Sequence, residues 1–297
     1  MMRFSVGLIC LPLILSGCSR DEAPAAPVPQ ATASADAAAA ASAPLPAPAA
    51  VDEKVLLPQL MQAVFADAYR PASKDALAEL PEPDERSVRS LHLITPTGAK
   101  VLENGLAALV VNGEMADEQG VTSTAHVTPG RLSVYLLRQE QGKWVVQRRH
   151  ENVAELGSMG QSGSAQWVTL APGKPGLAML HGGTWQGYSI RFLSLFDLSD
   201  ENMRHMLGEQ VESDSEGACG PETSECWRVD GNWRIAAPAD GQRYGDVLID
   251  FSGEREALPQ GVEGGKRVKR AVKGSARYSY RDGAYKLVDG ANLVPGV

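Results

Sequence analysis

The chain has 297 residues and a formal net charge of −8 at pH 7, a balance that argues against nucleic acid as a partner. Hydrophobic residues make up 43% and charged residues 22%, which excludes a wholly disordered chain. The length admits one large all-β domain or two smaller ones.

The chain opens with MMRFSVGLICLPLILSGC. Arg3 is followed by an apolar run from Phe4 to Leu15, interrupted only by small residues and Pro12. About twelve apolar residues are too few to cross a ~30 Å hydrocarbon core, but they suit the h-region of a secretory signal peptide. Leu15, Ser16 and Gly17 then precede Cys18. This stretch resembles the lipobox of bacterial lipoproteins: a Leu, two small residues and a Cys. The resemblance ends at about residue 20. It implies cleavage between Gly17 and Cys18, a thioether-linked lipid on Cys18, and acylation of the new N-terminus. Three acyl chains exceed the two signals needed for stable anchoring. Ser19 rather than Asp after the Cys is similar to the outer-membrane sorting pattern of that family. The implied location is the cell envelope, lipid-anchored in the outer membrane and facing the periplasm.

Residues 21–50 are almost wholly Ala, Pro and Ser. Such a segment cannot bury enough apolar surface to offset its ordering entropy, so it is expected to be a disordered tether. Its proline clusters give a reach of roughly 90 Å at full stretch. The expected organisation is therefore signal peptide 1–17, lipidated Cys18 and tether 18–51, helical entry 52–90, and a β-rich domain 91–297.

In the entry segment Leu57, Leu60, Met61, Val64, Phe65 and Ala68 recur at helical spacing, with Pro58 placed in the first turn and Pro71 ending the helix. A second short helix is expected from Ser73 to Leu80, stopped by Pro81. Beyond Arg89 the period falls to two. Strands are expected near 91–95, 106–112, 121–127, 132–138, 144–150, 165–170, 177–181, 188–196, 203–209, 226–235, 246–251, 268–281 and 284–288. Three stretches, QGKWVV at 141, DGNWRI at 230 and DGAYKL at 282, each place a Gly two residues before an aromatic. They read as hairpin turns, type I′ for Asp230-Gly231 and Asp282-Gly283. That register predicts cation–π pairs Arg228–Trp233 and Trp227–Arg234, and Tyr280 opposite Tyr285. The expected fold is mainly β, an antiparallel meander forming a sandwich or open barrel after one or two short helices.

Once Cys10 leaves with the signal and Cys18 is lipidated, Cys219 and Cys226 remain as a pair around the loop CGPETSEC. An even pair in an oxidising compartment predicts a disulfide, stabilising by roughly 2–3 kcal/mol.

Catalytic signals are weak. HGGTW at 181 is similar to the oxyanion loop of some esterases, but no Gly-x-Ser-x-Gly elbow follows. GSMGQSG at 157 lacks dinucleotide spacing and a Walker lysine, and reads as a flexible loop. The five histidines lie singly without metal-ligand spacing and read as surface or strand-end residues. Glu212, Asp214 and Glu216 partly mimic a calcium loop, but the position for the bidentate Glu holds Thr223. The basic run GGKRVKRAVKGSAR at 264 reads as a charged edge strand, with Val268 and Val272 inward. Contact with anionic envelope surfaces is its functional alternative.

These features favour a lipid-anchored, non-catalytic binding or assembly module. Its expected partners are the membrane, through the lipid, and an envelope protein or polymer; no cofactor, metal or nucleic acid is expected. The alternative is a periplasmic hydrolase whose acids (Asp246, Asp250 and Glu254 among them) meet only in three dimensions.

Overall fold

A computed structural model describes residues 51–259 and 265–296. The signal segment, Gly17, Cys18 and nearly all of the tether lie outside them.

Helix α1 (Glu53–Phe65) starts where the Asp52 side chain accepts from the Lys54 N–H at 2.9 Å. It buries Leu56, Leu60, Met61, Val64 and Phe65. Pro58 falls in the second turn rather than the first, so one helical hydrogen bond is missing. Packing of the apolar stripe, not propensity, holds this helix.

Strands β1 (Tyr69–Arg70), β2 (Asp75–Pro81), β3 (Arg89–Val101), β4 (Ala107–Met115), β5 (Gly130–Glu140) and β6 (Lys143–Leu156) form a six-stranded antiparallel meander in chain order. The second helix expected over Ser73–Leu80 is β2. Its Ala and Leu residues favour helix weakly, but Ala76 through Pro81 pair with Ile94 through Arg89. Buried Ala76 and Leu80 then join the helix-covered core. Tertiary pairing overrides local propensity here.

The strand expected over 121–127 is instead an exposed loop, tied by the Asp117 carboxylate to the N–H groups of Gln119 and Val121. The segment folds back on the end of β4 through a single bridge, Thr122 to Ala116, with the Asp117 N–H donating to the Val121 carbonyl at 3.1 Å.

The second sheet has eight strands in the order β14 to β7: β7 (Ser164–Ala171), β8 (Lys174–Trp185), β9 (Tyr188–Asp197), β10 (His205–Asp214), β11 (Glu225–Ile235), β12 (Val247–Ala257), β13 (Val268–Arg281) and β14 (Ala284–Gly290). Gln141-Gly142 and Asp282-Gly283 are hairpin turns as expected, both with positive φ at each residue, a conformation foreseen only for the Asp-Gly pair, and Tyr280 opposes Tyr285 with ring centroids 5.7 Å apart. Asp230-Gly231 is not a turn. It lies inside β11, paired with Ser252 and Phe251. A Cβ on Gly231 would approach Ile249 Cγ2 to 2.8 Å and the Val211 carbonyl oxygen to 2.9 Å, so this glycine serves close strand packing. Neither cation–π pair forms: Arg228 faces Glu216 and Asp230, Arg234 pairs with Asp250, and Trp227 stacks on Tyr188.

Three apolar layers result. Ile94, Leu109, Val111, Tyr135 and Leu137 pack under α1. The opposite face of that sheet, with Ala108, Val110, Leu132, Val134 and Leu136, meets Leu177, Met179 and Phe196 of the second sheet. Strand β4 is consequently buried on both faces and shows no alternation. The second sheet curls without closing, and Leu193, Leu195, Val229, Ile249, Phe251 and Tyr278 fill its inner face. The fold is sandwich-like and mainly antiparallel β. Beyond β14, Asn292 reaches Glu209 and the Gln210 carbonyl at 3.2 and 3.0 Å, and Val294 enters the inner core.

The segment 157–163, expected as a flexible loop, is a clamp between the sheets. Asn112 holds the Gly160 carbonyl and the Ser162 N–H, both at 2.9 Å, while Gly157 N–H and Ser158 Oγ bond His181 and the Gly182 carbonyl.

Candidate functional site

The end of the β8–β11 ladder carries the most developed surface. Gln186-Gly187 makes a two-residue turn with both φ positive, opposing Trp185 to Tyr188. A Cβ on Gly187 would lie 2.3 Å from the Gly217 carbonyl carbon, because the hairpin tip rests on the short 3₁₀ turn Glu216–Ala218. That connection is closed by the Cys219–Cys226 disulfide, with Cα atoms 5.7 Å apart. Arg267 donates to the carbonyls of Gly220 and Thr223 at 2.8 and 2.7 Å. The tip is therefore seated on a cross-linked, hydrogen-bonded base.

Open recesses lie on both faces of the sheet beside it. A polar one of about 690 Å³ is lined by Gln166, Thr184, Ser189, Arg191, Glu212 and Asp214, among others. In it Arg191 pairs with Glu212 at 3.0 Å, and Thr184 and Ser189 share a hydroxyl bond of 2.9 Å. A second, of about 470 Å³, is lined by Trp185, Gln186, Tyr188, Trp227 and Gly296. The Tyr188 and Trp227 rings stack at 5.6 Å with planes 29° apart. Trp227 Nε1–H donates to Ser213 Oγ at 2.9 Å, which fixes the indole. All three aromatic rings are half-buried. A third recess, of about 420 Å³, lies against the disulfide and Trp227.

The histidines expected at the surface divide. His126 is exposed, whereas His92 is fully buried. His181 and His205 converge on Ser194, an arrangement invisible in the sequence because the three residues sit on three different strands. The Gly157 N–H donates to His181 Nδ1 at 3.1 Å, so the network assigns the proton to Nε2, which donates to Ser194 Oγ at 2.9 Å. The Ser194 hydroxyl then donates to His205 Nε2 at 2.8 Å. Burial, reinforced by His205, pushes the His181 pKa down to about 4. Burial also lowers that of His205, against the opposing pull of a hydrogen bond to the Leu207 backbone. Both rings are neutral near pH 7. Ser194 is wholly buried, and neither histidine has a carboxylate partner. The arrangement fastens three strands together and offers no nucleophile to a substrate.

The acids proposed for hydrolysis do not converge either. Asp246 bonds Ser279 and Arg277, Asp250 pairs with Arg234, and Glu254 with Lys269, each along a separate stretch of β12 or its approach. The HGG stretch is mid-strand in β8. Of the calcium-like acids, Glu212 pairs with Arg191, and Asp214 accepts from the Glu216 N–H at 3.0 Å. The basic run forms β13, whose Val268–Ser275 half is flanked by β12 while β14 pairs only from Ala276 on. It is thus an edge for half its length. Val272 packs on the inner core, but Val268 is exposed rather than inward.

Trp185 and Tyr188 carry no expectation from the sequence, and Trp227 only that of a partner for Arg234, although WQGY holds a Gln-Gly turn like the one at 141, with the aromatic directly after the glycine. No protein-family model, curated protein or solved structure matches the chain.

Proposed function

We propose that the protein is a lipid-anchored bacterial envelope component. In this reading Cys18 carries the lipid, Ala/Pro-rich residues form the tether, and the β domain is a non-catalytic binding module facing the periplasm. The observation that carries the binding assignment is the ladder end. There, half-buried rings and an ion-paired polar recess lie open to solvent on a cross-linked base, while the Ser194 hydroxyl is fully buried beneath its histidine partners. Ligand sites combine such flat apolar surface with a few convergent polar groups. The Cys219–Cys226 disulfide fits an oxidising compartment, as the Leu15-Ser16-Gly17-Cys18 sequence does.

The test has two parts. Wild-type protein is expected to incorporate labelled palmitate and partition into the membrane fraction, and Cys18→Ala to do neither. In-cell cross-linking with mass spectrometry is expected to return a reproducible envelope partner. Hydrolytic turnover of an envelope polymer by purified protein would overturn the non-catalytic assignment.

A further inference from the structure

We propose that the open half of the β6 edge, residues 143–150, takes up an acidic, extended segment of a partner protein as an added strand. This surface belongs to the first sheet, apart from the ladder end, and is independent of the reading given there.

Strand β6 is the last of its sheet and pairs with β5 alone. Its far half is closed, because Arg86 donates to the Glu151 carbonyl at 3.0 Å and the Asn152 amide donates to the Pro81 carbonyl. Over residues 143–150 no backbone group bonds beyond β5 among the described residues. An open recess of about 660 Å³ is lined there by every residue over 144–149 and by Ala63 of α1. Successive strand residues point to opposite faces, so a recess that touches six in a row runs along the edge itself. Helix α1 walls one side: Gln59 accepts from Trp144 Nε1–H at 3.2 Å, and Arg149 donates to the Val64 carbonyl at 3.4 Å. On the other side Arg148 donates to the Asp200 carbonyl at 3.3 Å.

A row of unpaired N–H and C=O groups is met by another extended chain. A helix has satisfied its own backbone groups and offers none along its side, and a lipid surface has no matching repeat. Charge then decides which chain. The recess lining holds Arg148 and Arg149 and no acid. Arg148 bonds only the Asp200 carbonyl among the described residues, and Arg149 shares Glu151 with Arg89, at 3.5 and 3.6 Å. Lys143 stands at the entrance, opposite Glu140. A second copy of β6 would bring the same three cations alongside, and like charges across strands are destabilising. The cations and the bulge at Gln147 deter indiscriminate edge pairing, and the same cations select acids. Trp144, Val145 and Val146 give apolar contact at one end of the slot and the arginines give charge at the other, so the fitting segment carries both β-branched and acidic residues.

The test uses purified full-length protein in detergent micelles and the fluorescein-labelled peptide Glu-Val-Glu-Val-Glu-Val-Thr, read by anisotropy, with every Glu replaced by Lys in the control. Saturable binding of the acidic peptide is expected, about tenfold or more tighter than the control, and weakening as added salt screens the arginines. The double variant Arg148→Gln/Arg149→Gln keeps amide donors for the Asp200 and Val64 carbonyls. It should weaken the acidic peptide about tenfold or more, roughly 1.4 kcal/mol. Two further acidic peptides, N-methylated at alternate residues in the two possible phases, separate strand addition from charge attraction without touching the protein. The phase that faces β6 loses its donors, so one peptide should lose binding and the other keep it. Equal behaviour of these two, whether both bind or neither does, overturns the proposal, as does equal binding of the Glu and Lys peptides. A photo-cross-linker at Val145, which is 39% exposed, supports the proposal in cells if its adduct maps to an acidic segment of one protein. Adducts on a neutral or basic segment, on lipid or on polymer, or no adduct, overturn it and leave the ladder-end reading standing.

Discussion

Replacing Ser194 by Ala removes the hydroxyl that joins His181 on β8 to His205 on β10. Both imidazole nitrogens facing it lose their partner, and the serine site itself is fully buried. Leaving a buried donor unsatisfied costs about 1–3 kcal/mol, and that is the loss expected in urea unfolding at pH 7. The same histidines should make the fold acid-sensitive. A group whose folded pKa lies below its unfolded value contributes stability above the unfolded pKa, and loses it as the pH falls, because the unfolded chain takes up the proton first. For His181 the window runs from 6.5 down to about 4. The full shift would amount to roughly 3.4 kcal/mol, and screening at the solvent-exposed side of His205 reduces it to ~1–2 kcal/mol. About 1 kcal/mol of this should be gone by pH 5, before most carboxylates titrate. Urea melts of wild type, Ser194→Ala and His181→Gln at pH 7, 6, 5.5 and 5 would read both effects. A Ser194→Ala cost below about 0.5 kcal/mol at pH 7, or a wild-type midpoint unchanged between pH 6.5 and 5, would refute the buried relay.

The double variant Cys219→Ser/Cys226→Ser should lose about 2–3 kcal/mol, from the loop-closure entropy of a short ring; equal midpoints with and without reductant would contradict this. Gly187→Ala forces a Cβ into the Gly217 backbone at positive φ and should lower the melting temperature; an unchanged value would show the tip is not wedged. Val110→Ala, a side chain buried between the two sheets, should cost about 1–3 kcal/mol as transfer and cavity terms add, whereas Val145→Ala on the exposed face of β6 should cost under about 0.5 kcal/mol. Near-equal costs would mean that the sheets do not share a core.

Period-two patterning with turn glycines was enough, from sequence alone, for the antiparallel meander, because each hairpin is a local event. Gln141-Gly142 and Asp282-Gly283 turn with positive φ at both positions, which is free at the glycines and tolerated at Asp282, while Gln141 is held there by the hairpin. The spacing of Cys219 and Cys226 likewise announced their bond. The local rules failed where distant chain decided the outcome. Ser73–Leu80 has helical propensity, yet the free edge of β3 makes part of it a strand. Asp230-Gly231 has turn chemistry, yet β12 holds it extended and the glycine serves close packing against Val211 and Ile249. The candidate site belongs to this second group. Trp185 and Tyr188 come from one hairpin and Trp227 from another strand, and only the seating of Gly187 on Gly217 fixes the platform. The Ser194 relay needs three strands in register. Periodicity reports which face a residue occupies, because that is set by its own backbone. Which residues meet across strands depends on register and on the bulge in β10, and these are settled by packing between the layers.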